Sequence, residues 1–173
     1  MTPFEISEAL ENMTIIVDTR EQPTKRLTGR LKQMGCPNER RKLDFGDYSA
    51  VFTYGDKVCD LTSKCVVERK MSLAELCQCY CQGRDRFTRE FARAHDAGAR
   101  VYLLVEDASW EHIYAGAYRS QMTPQSLVAS VLAWMARYDC HVVFCRPETS
   151  GKLIKELLYR EGKERMERGD FDA

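Results

Sequence analysis

Three consecutive charged residues at the end of an apolar segment are the first candidates for chemistry in this sequence. Glu68, Arg69 and Lys70 directly follow Val66 and Val67, which have the character of a buried strand end. Removing three adjacent charges from water is costly unless other groups pair with them. A divalent metal ion and a phosphodiester would provide that pairing. The segment therefore predicts a site for metal-dependent phosphodiester hydrolysis.

Two acidic residues upstream extend this prediction. Asp47 precedes an apolar segment, and Asp18 ends the apolar segment 14–17. Mg²⁺ prefers a few carboxylate ligands and keeps several waters, so Asp47 and Glu68 are predicted to bind a metal, with Asp18 as a third candidate. Lys70 lies two residues beyond Glu68 and faces the same side of an extended chain. Its ammonium is predicted to hold the attacking water or to offset charge on the phosphate.

Other interpretations exist for each of these residues. Asp47 also fits a turn, Asp18 a helix cap or loop, and the charged triplet an exposed charge cluster. Arg69 is interpreted as a phosphate clamp or as an ion-pair partner of Glu21 or Asp18. The order Asp-x-Arg-Glu, Gly-Asp-Tyr and Glu-Arg-Lys, each beside a predicted strand, favours the catalytic interpretation.

Basic residues are distributed unevenly along the chain. Residues 20–42 hold eight basic and two acidic residues, although the formal net charge of the whole chain is zero. A neutral chain is not expected to coat nucleic acid through bulk charge. The basic segment is either a solvated helix face or a phosphate-contacting surface, and Lys25 and Arg26 are its candidate DNA contacts. Arg84 and Arg86 belong to a second basic stripe, for which surface ion pairing is the alternative.

Hydrophobic periodicity predicts alternating strands and helices. Their order favours an α/β fold with a mixed central β-sheet flanked by helices. A single domain is expected over residues 1–173. The predicted strands lie at 14–18, in a hairpin over 41–54, within 58–70, at 101–105 and at 141–145. The predicted helices cover 23–34, 72–82, 84–97, 109–114, 124–135 and 149–168. Residues 4–12 are interpreted either as a short N-terminal helix or as a disordered lead-in.

Composition narrows the class of protein. Hydrophobic residues make up 44% of the chain and charged residues 30%, as in ordinary globular domains. No apolar segment approaches the roughly 20 residues that cross a bilayer, and no signal peptide is evident, so the default expectation is a cytoplasmic protein without a membrane partner. Cys77, Cys79 and Cys81 alternate within a predicted helix, which favours free thiols over disulfides or a zinc site.

The three acidic motifs together resemble a known family. Segments 17–21, 46–48 and 67–70 are similar to the signatures of the XPF-type structure-specific endonuclease domain, within the restriction-endonuclease-like superfamily. The resemblance covers about residues 14–146, the expected nuclease core, with the helix at 149–168 beyond it. No tandem helix-hairpin-helix module follows, as in small stand-alone bacterial or phage members.

The resemblance implies a function and roles for individual residues. Asp47 and Glu68 would bind Mg²⁺ or Mn²⁺ with Asp18 nearby, and Lys70 would orient the nucleophilic water. Supporting roles fall to Arg20, Glu21 and Arg69, and Arg84 would lie near the DNA backbone. The implied substrate is branched DNA, such as a fork or flap.

One position departs from the family pattern. Ala74 occupies a place that is often acidic, and Glu75 is interpreted either as its substitute or as a capping residue. Activity is therefore expected to be reduced. The alternatives to an active DNA endonuclease are a catalytically impaired DNA-binding or partner module, an RNA nuclease and a purely structural domain. The apolar helix from Leu127 to Trp134 is interpreted either as core or as the face of a homodimer.

Overall fold

A computed structural model describes residues 1–171 of the chain as a seven-stranded sheet covered by helices on both faces. The helices are α1 (Pro3–Glu11), α2 (Lys25–Met34), α3 (Leu73–Cys81), α4 (Arg84–Asp96), α5 (Trp110–Tyr114), α6 (Pro124–Tyr138) and α7 (Pro147–Arg168). The strands are β1 (Met13–Val17), β2 (Asn38–Arg40), β3 (Tyr48–Tyr54), β4 (Lys57–Asp60), β5 (Cys65–Lys70), β6 (Arg100–Glu106) and β7 (His141–Cys145).

The sheet mixes parallel and antiparallel pairs in the order β2-β1-β3-β5-β6-β7, with β4 added to β3. Strand β3 runs antiparallel to β1, β4 and β5. The pairs β1–β2, β5–β6 and β6–β7 are parallel. The predicted α/β fold with a mixed central sheet flanked by helices is thus confirmed.

Alternating side chains of the central strands build two separate cores. Val67 and Leu104 lie in the core formed with α1, α2 and α7, whereas Val66 and Leu103 lie in the core formed with α3 to α6. The same alternation continues to the end of β5. Glu68 and Lys70 therefore follow Val66 toward α3 and α4, and Arg69 follows Val67 toward α2 and α7.

Two predicted element boundaries were wrong. Residues 41–47 form no strand, and the hairpin instead joins β3 to β4 across Gly55 and Asp56. The Gly-Asp pair is a strong hairpin turn signal, which the prediction passed over. Helix α2 begins after Pro23, at Lys25, because the Thr24 side chain accepts a hydrogen bond from the Leu27 N–H.

The predicted cap of α3 and the predicted break after it agree with the structure. The Ser72 side chain caps α3, and α3 and α4 are separated at Gly83. Leu127, Val131 and Trp134 are buried in the core of this chain, which leaves homodimer formation as a prediction. No disulfide joins cysteines within residues 1–171. Over the same residues, none of the helices has both the length and the apolar character of a membrane span.

A buried ion-pair cluster joins α7 to the start of β6, at the end of the sheet opposite to Glu68 and Lys70. Glu161 accepts hydrogen bonds from Arg100 and, at 2.7 Å, from the Tyr102 hydroxyl, and its other oxygen lies 3.4 Å from Arg165 Nε. Burial alone would raise the pKa of Glu161, but the hydrogen bonds from Tyr102 and Arg100 outweigh it and hold this pKa below 4.5.

We expect this cluster to make stability depend on pH. Because the pKa of Glu161 is lower in the folded state, its contribution is present at neutral pH and is lost as pH falls through the folded-state pKa. Glu161→Gln should lower the free energy of unfolding by about 2 kcal/mol at pH 7 and by clearly less at pH 3. Urea denaturation at both pH values measures this, and an equal loss at both would contradict it.

Candidate active site

Gly46 and Asp47 are held between the ends of β1 and β5. Gly46 has φ 72°, and a Cβ there would come within 2.7 Å of the Val66 side chain, so only glycine fits. The Asp47 carbonyl accepts a hydrogen bond from the Asp18 N–H, and the Asp47 N–H donates to the Val67 carbonyl, both at 2.9 Å. These bonds fix the Asp47 carboxylate beside the strand that carries Glu68.

Glu68 and Lys70 form a buried ion pair on one side of β5. Lys70 Nζ donates a hydrogen bond to Glu68 Oε1, and the two residues are 8% and 4% exposed respectively. Glu68 Oε2 is buried and has no hydrogen-bond partner among residues 1–171. A buried carboxylate oxygen without a partner is costly, so this atom marks a place where a ligand would bind.

The side chains converge on a cavity of about 180 Å³, here called the carboxylate cavity. Its lining residues are Arg20, Glu21, Asp47, Glu68, Arg69, Lys70, Glu75, Arg86 and Glu90. Six of the seven predicted catalytic residues are among them. Five of the lining residues are acidic and four are basic, which leaves an excess of negative charge.

The acidic pair in this cavity is electrostatically strained. Burial, and then repulsion from Glu68, raise the pKa of Asp47 well above its usual value. Burial also raises the pKa of Glu68, against the opposing effect of Lys70. Burial alone would lower the pKa of Lys70, but the attraction of Glu68 and Asp47 raises it. A cation between the carboxylates would relieve the repulsion.

Asp18 does not join the acidic pair. Its fully buried carboxylate accepts hydrogen bonds from the Arg20 N–H and Nε at 2.8 and 2.6 Å, and from the Leu43 N–H at 2.7 Å. Burial would raise the pKa of Asp18, but these bonds hold it below its usual value. Within residues 1–171, no three Asp, Glu, His or Cys side chains group as metal ligands. A role of Asp18 in metal binding therefore stays a prediction.

Glu90 of α4 is a site residue that the sequence prediction missed. Its Oε1 accepts a hydrogen bond from the Gly46 N–H at 3.0 Å and lies 3.7 Å from Arg20 Nη2. It therefore braces the turn that carries Asp47. The sequence did contain a signal for Glu90, because Glu90 lies with Phe91 on the apolar face of the helix. An acid on that face is expected to be buried and not to form an exposed ion pair.

The predicted DNA contacts divide into two groups. Arg86 lines the carboxylate cavity, and Lys25 and Arg26 line an adjoining cavity of about 490 Å³ that shares Arg20, Glu21 and Arg69 with it. Arg84 lies outside both cavities, with its guanidinium 5.6 Å from the centre of the Trp134 ring. Glu75 lines the carboxylate cavity, and its Oε2 accepts a hydrogen bond from the Met71 N–H at 2.6 Å.

Arg69 points to the opposite face of β5, where a second buried network begins. Arg69 Nη1 donates to Glu106 Oε2 at 3.3 Å, and Arg30 Nη2 donates to Glu106 Oε1 at 3.5 Å. Arg30 Nη1 also donates to the Tyr48 hydroxyl at 2.8 Å, and that hydroxyl donates to Glu21 Oε2 at 2.7 Å. Arg30 and Glu106 were not predicted as site residues, although Glu106 ends an apolar strand just as Asp18 does.

The structure is an α/β domain with a mixed sheet and an acidic cavity beside the start of β3 and the end of β5. The chain belongs to the ERCC4 domain family, because the family model of the ERCC4 domain matches residues 17–157. This membership confirms the resemblance to the XPF-type nuclease domain.

Solved structures show the same fold. XPF from Aeropyrum pernix is 21% identical with a TM-score of 0.62, and the match covers 86% of this chain and 61% of that one. XPF from Aeropyrum pernix in complex with DNA is 22% identical with a TM-score of 0.59, covering 87% of this chain and 65% of that one. The present chain thus spans less than two thirds of either structure. No curated protein matches the sequence.

Proposed function

We propose that the protein is a divalent-metal-dependent DNA endonuclease that hydrolyses phosphodiester bonds in branched DNA. The observation that carries this proposal is the convergence of Asp47, Glu68 and Lys70 on one cavity, with Glu68 Oε2 buried and unpartnered. Membership of the ERCC4 domain family and the fold shared with a DNA-bound XPF support it.

The donor set fits Mg²⁺ or Mn²⁺. Asp47 and Glu68 offer two carboxylates of raised pKa, and Mg²⁺ is commonly bound by one or two carboxylates with water completing its shell. Such an ion, when bound, would acidify a water and neutralise phosphate oxygens. Asp18 would act indirectly, because its oxygens already accept three N–H bonds.

Lys70 has the position and charge to orient the attacking water. Its ammonium is fixed by Glu68 Oε1, and its raised pKa keeps it protonated at neutral pH. A fixed ammonium beside the scissile phosphate would also stabilise the extra negative charge that develops during attack. Arg20 and Arg86 line the same cavity and would contact the substrate phosphates.

The strand being cut would continue along the adjoining cavity. Lys25 and Arg26 are exposed there, and the first turn of α2 contains no acidic residue. Both features favour phosphate contact. Arg84 would contact DNA outside the cavities. Branched DNA is the proposed substrate class by resemblance to the family.

A cleavage assay with matched variants tests the proposal. Labelled fork, flap, nicked, linear and single-stranded DNAs, and the same shapes in RNA, are incubated with Mg²⁺, Mn²⁺ or EDTA. We expect metal-dependent cutting of branched DNA that falls at least about 100-fold in Glu68→Ala and Lys70→Ala. Glu161→Gln, a buried acid at the other end of the sheet, is the control and should cut at nearly the wild-type rate.

Each alternative gives a different result in this assay. Tight DNA binding without cutting would indicate an impaired binding module, and cutting confined to RNA would indicate a ribonuclease. The absence of any nucleic-acid interaction would indicate a structural domain. Cutting that is unaffected by EDTA or by both active-site substitutions would contradict the proposed mechanism.

A further inference from the structure

Glu106 is a buried acid that joins two arginines of the site region. It ends β6, is 3% exposed, and uses one carboxylate oxygen for Arg30 and the other for Arg69. The two arginines come from different elements, α2 and β5. Glu106 itself lies outside the carboxylate cavity, so it acts only through these neighbours.

We propose that Glu106 is a positioning residue that holds the Arg69 guanidinium away from Asp47 and Glu68, so that the acidic pair stays open to a divalent cation. This inference rests on the proposed function. Arg69 lines the carboxylate cavity, and its backbone N–H donates to Asp47 Oδ2 at 2.8 Å. The Asp47 carboxylate is also among the acids whose charge raises the pKa of the Arg69 guanidinium. A cation so close to the acidic pair competes with a metal ion unless another anion holds it.

The charges around Arg69 show why Glu106 decides its position. Burial would lower the pKa of Arg69, and the attraction of Glu106 is the strongest effect that raises it. The network contains two arginines, Arg30 and Arg69, and two glutamates, Glu21 and Glu106. Loss of the Glu106 charge would leave one surplus buried cation, which the acids of the cavity that already act on Arg69, Glu21 and Asp47, would then attract more strongly.

The carboxylate oxygen of Glu106 that binds Arg30 also acts on the cavity, through Arg30 and Tyr48. Arg30 is 4% exposed and bonds the Tyr48 hydroxyl, which donates to Glu21. Glu21 lines the carboxylate cavity as Arg69 does. One buried carboxylate therefore orients two cavity side chains from the opposite face of the sheet.

The test measures Mn²⁺ binding to the DNA-free protein by isothermal titration calorimetry. We expect Glu106→Gln to weaken Mn²⁺ binding about tenfold, the change in Kd that corresponds to about 1.4 kcal/mol. The matched control is Glu161→Gln, which removes the charge of another buried, arginine-paired glutamate far from the cavity. The Mn²⁺ affinity of Glu161→Gln should stay within about twofold of wild type. Like Glu106→Gln, this variant loses a buried ion pair, but the pair is far from the cavity and should not affect metal binding.

A double substitution separates positioning from a general loss of packing. In an Arg69→Ala background, Glu106→Gln should leave Mn²⁺ affinity unchanged, because the competing cation is gone. Arg69→Ala alone should bind Mn²⁺ at least as tightly as wild type, and this variant decides the matter if Glu106→Gln does not fold.

Two results would overturn the role of Glu106: unchanged Mn²⁺ affinity in folded Glu106→Gln, or weaker Mn²⁺ binding in Arg69→Ala. A wild-type protein that binds Mn²⁺ but cuts no nucleic acid would refute the proposed endonuclease function. The Mn²⁺ affinities of the variants would still test the role of Glu106 in that case.

Discussion

Asp47→Asn is expected to make the protein more stable and inactive. Burial and repulsion from Glu68 raise the pKa of Asp47, so its ionised form destabilises the metal-free fold at neutral pH. Asparagine removes this charge and keeps an oxygen that can accept the Arg69 N–H bond. We expect a rise in Tm of about 2–4 °C in EDTA, which corresponds to about 1 kcal/mol for a domain of this size.

Cleavage by the same variant should fall at least about 100-fold, because one of two proposed metal ligands is lost. Thermal denaturation in EDTA and cleavage in Mn²⁺ measure the two effects on one preparation. Glu68→Gln is the informative comparison. It should also lose activity, but it should lower stability by about 3 kcal/mol, because the buried Lys70 ammonium then loses the carboxylate that accepts its hydrogen bond. This loss should outweigh the relief of burying the Glu68 charge. A lower Tm with retained cleavage in Asp47→Asn would contradict the assignment.

The opposite signs expected for these two substitutions follow from geometry that the sequence only partly predicts. Alternation along a strand places Glu68 and Lys70 on one side and Arg69 on the other, and this much was predictable from spacing. The repulsion between Asp47 and Glu68 was not. It depends on the tertiary placement of the turn at Gly46 against Val66, which the predicted hairpin over 41–54 put in the wrong place.

Asp18 and Glu106 both show that the local sequence pattern does not reveal the long-range partners of a buried acid. Both end apolar strands, so local pattern treats them alike. Asp18 was a third candidate metal ligand, and nothing nearby in sequence indicates that the Leu43 N–H, 25 residues away, donates to its carboxylate. Glu106 was passed over because its partner Arg30 lies 76 residues away. Burial pairs these acids through long-range contacts, and periodicity carries no information about such contacts.

Helices α2 and α7 pack closely at Gly151, and this contact leaves no room for a side chain. Gly151 lies in α7, and a Cβ there would come within 2.3 Å of the Arg30 carbonyl oxygen and 2.8 Å of the Gln33 Cβ. A backbone atom cannot move aside as a flexible side chain does, so Gly151→Ala must push the two helices apart. We expect it to lower the free energy of unfolding by about 3 kcal/mol, the upper part of the usual range for overpacking.

Gly29→Ala in α2 is the matched control, since nothing lies within 4 Å of a Cβ at that exposed position. The same chemical change should stabilise the protein there by about 0.5–1 kcal/mol through helix propensity. Urea denaturation of both variants measures the contrast, and two changes of the same sign would contradict it.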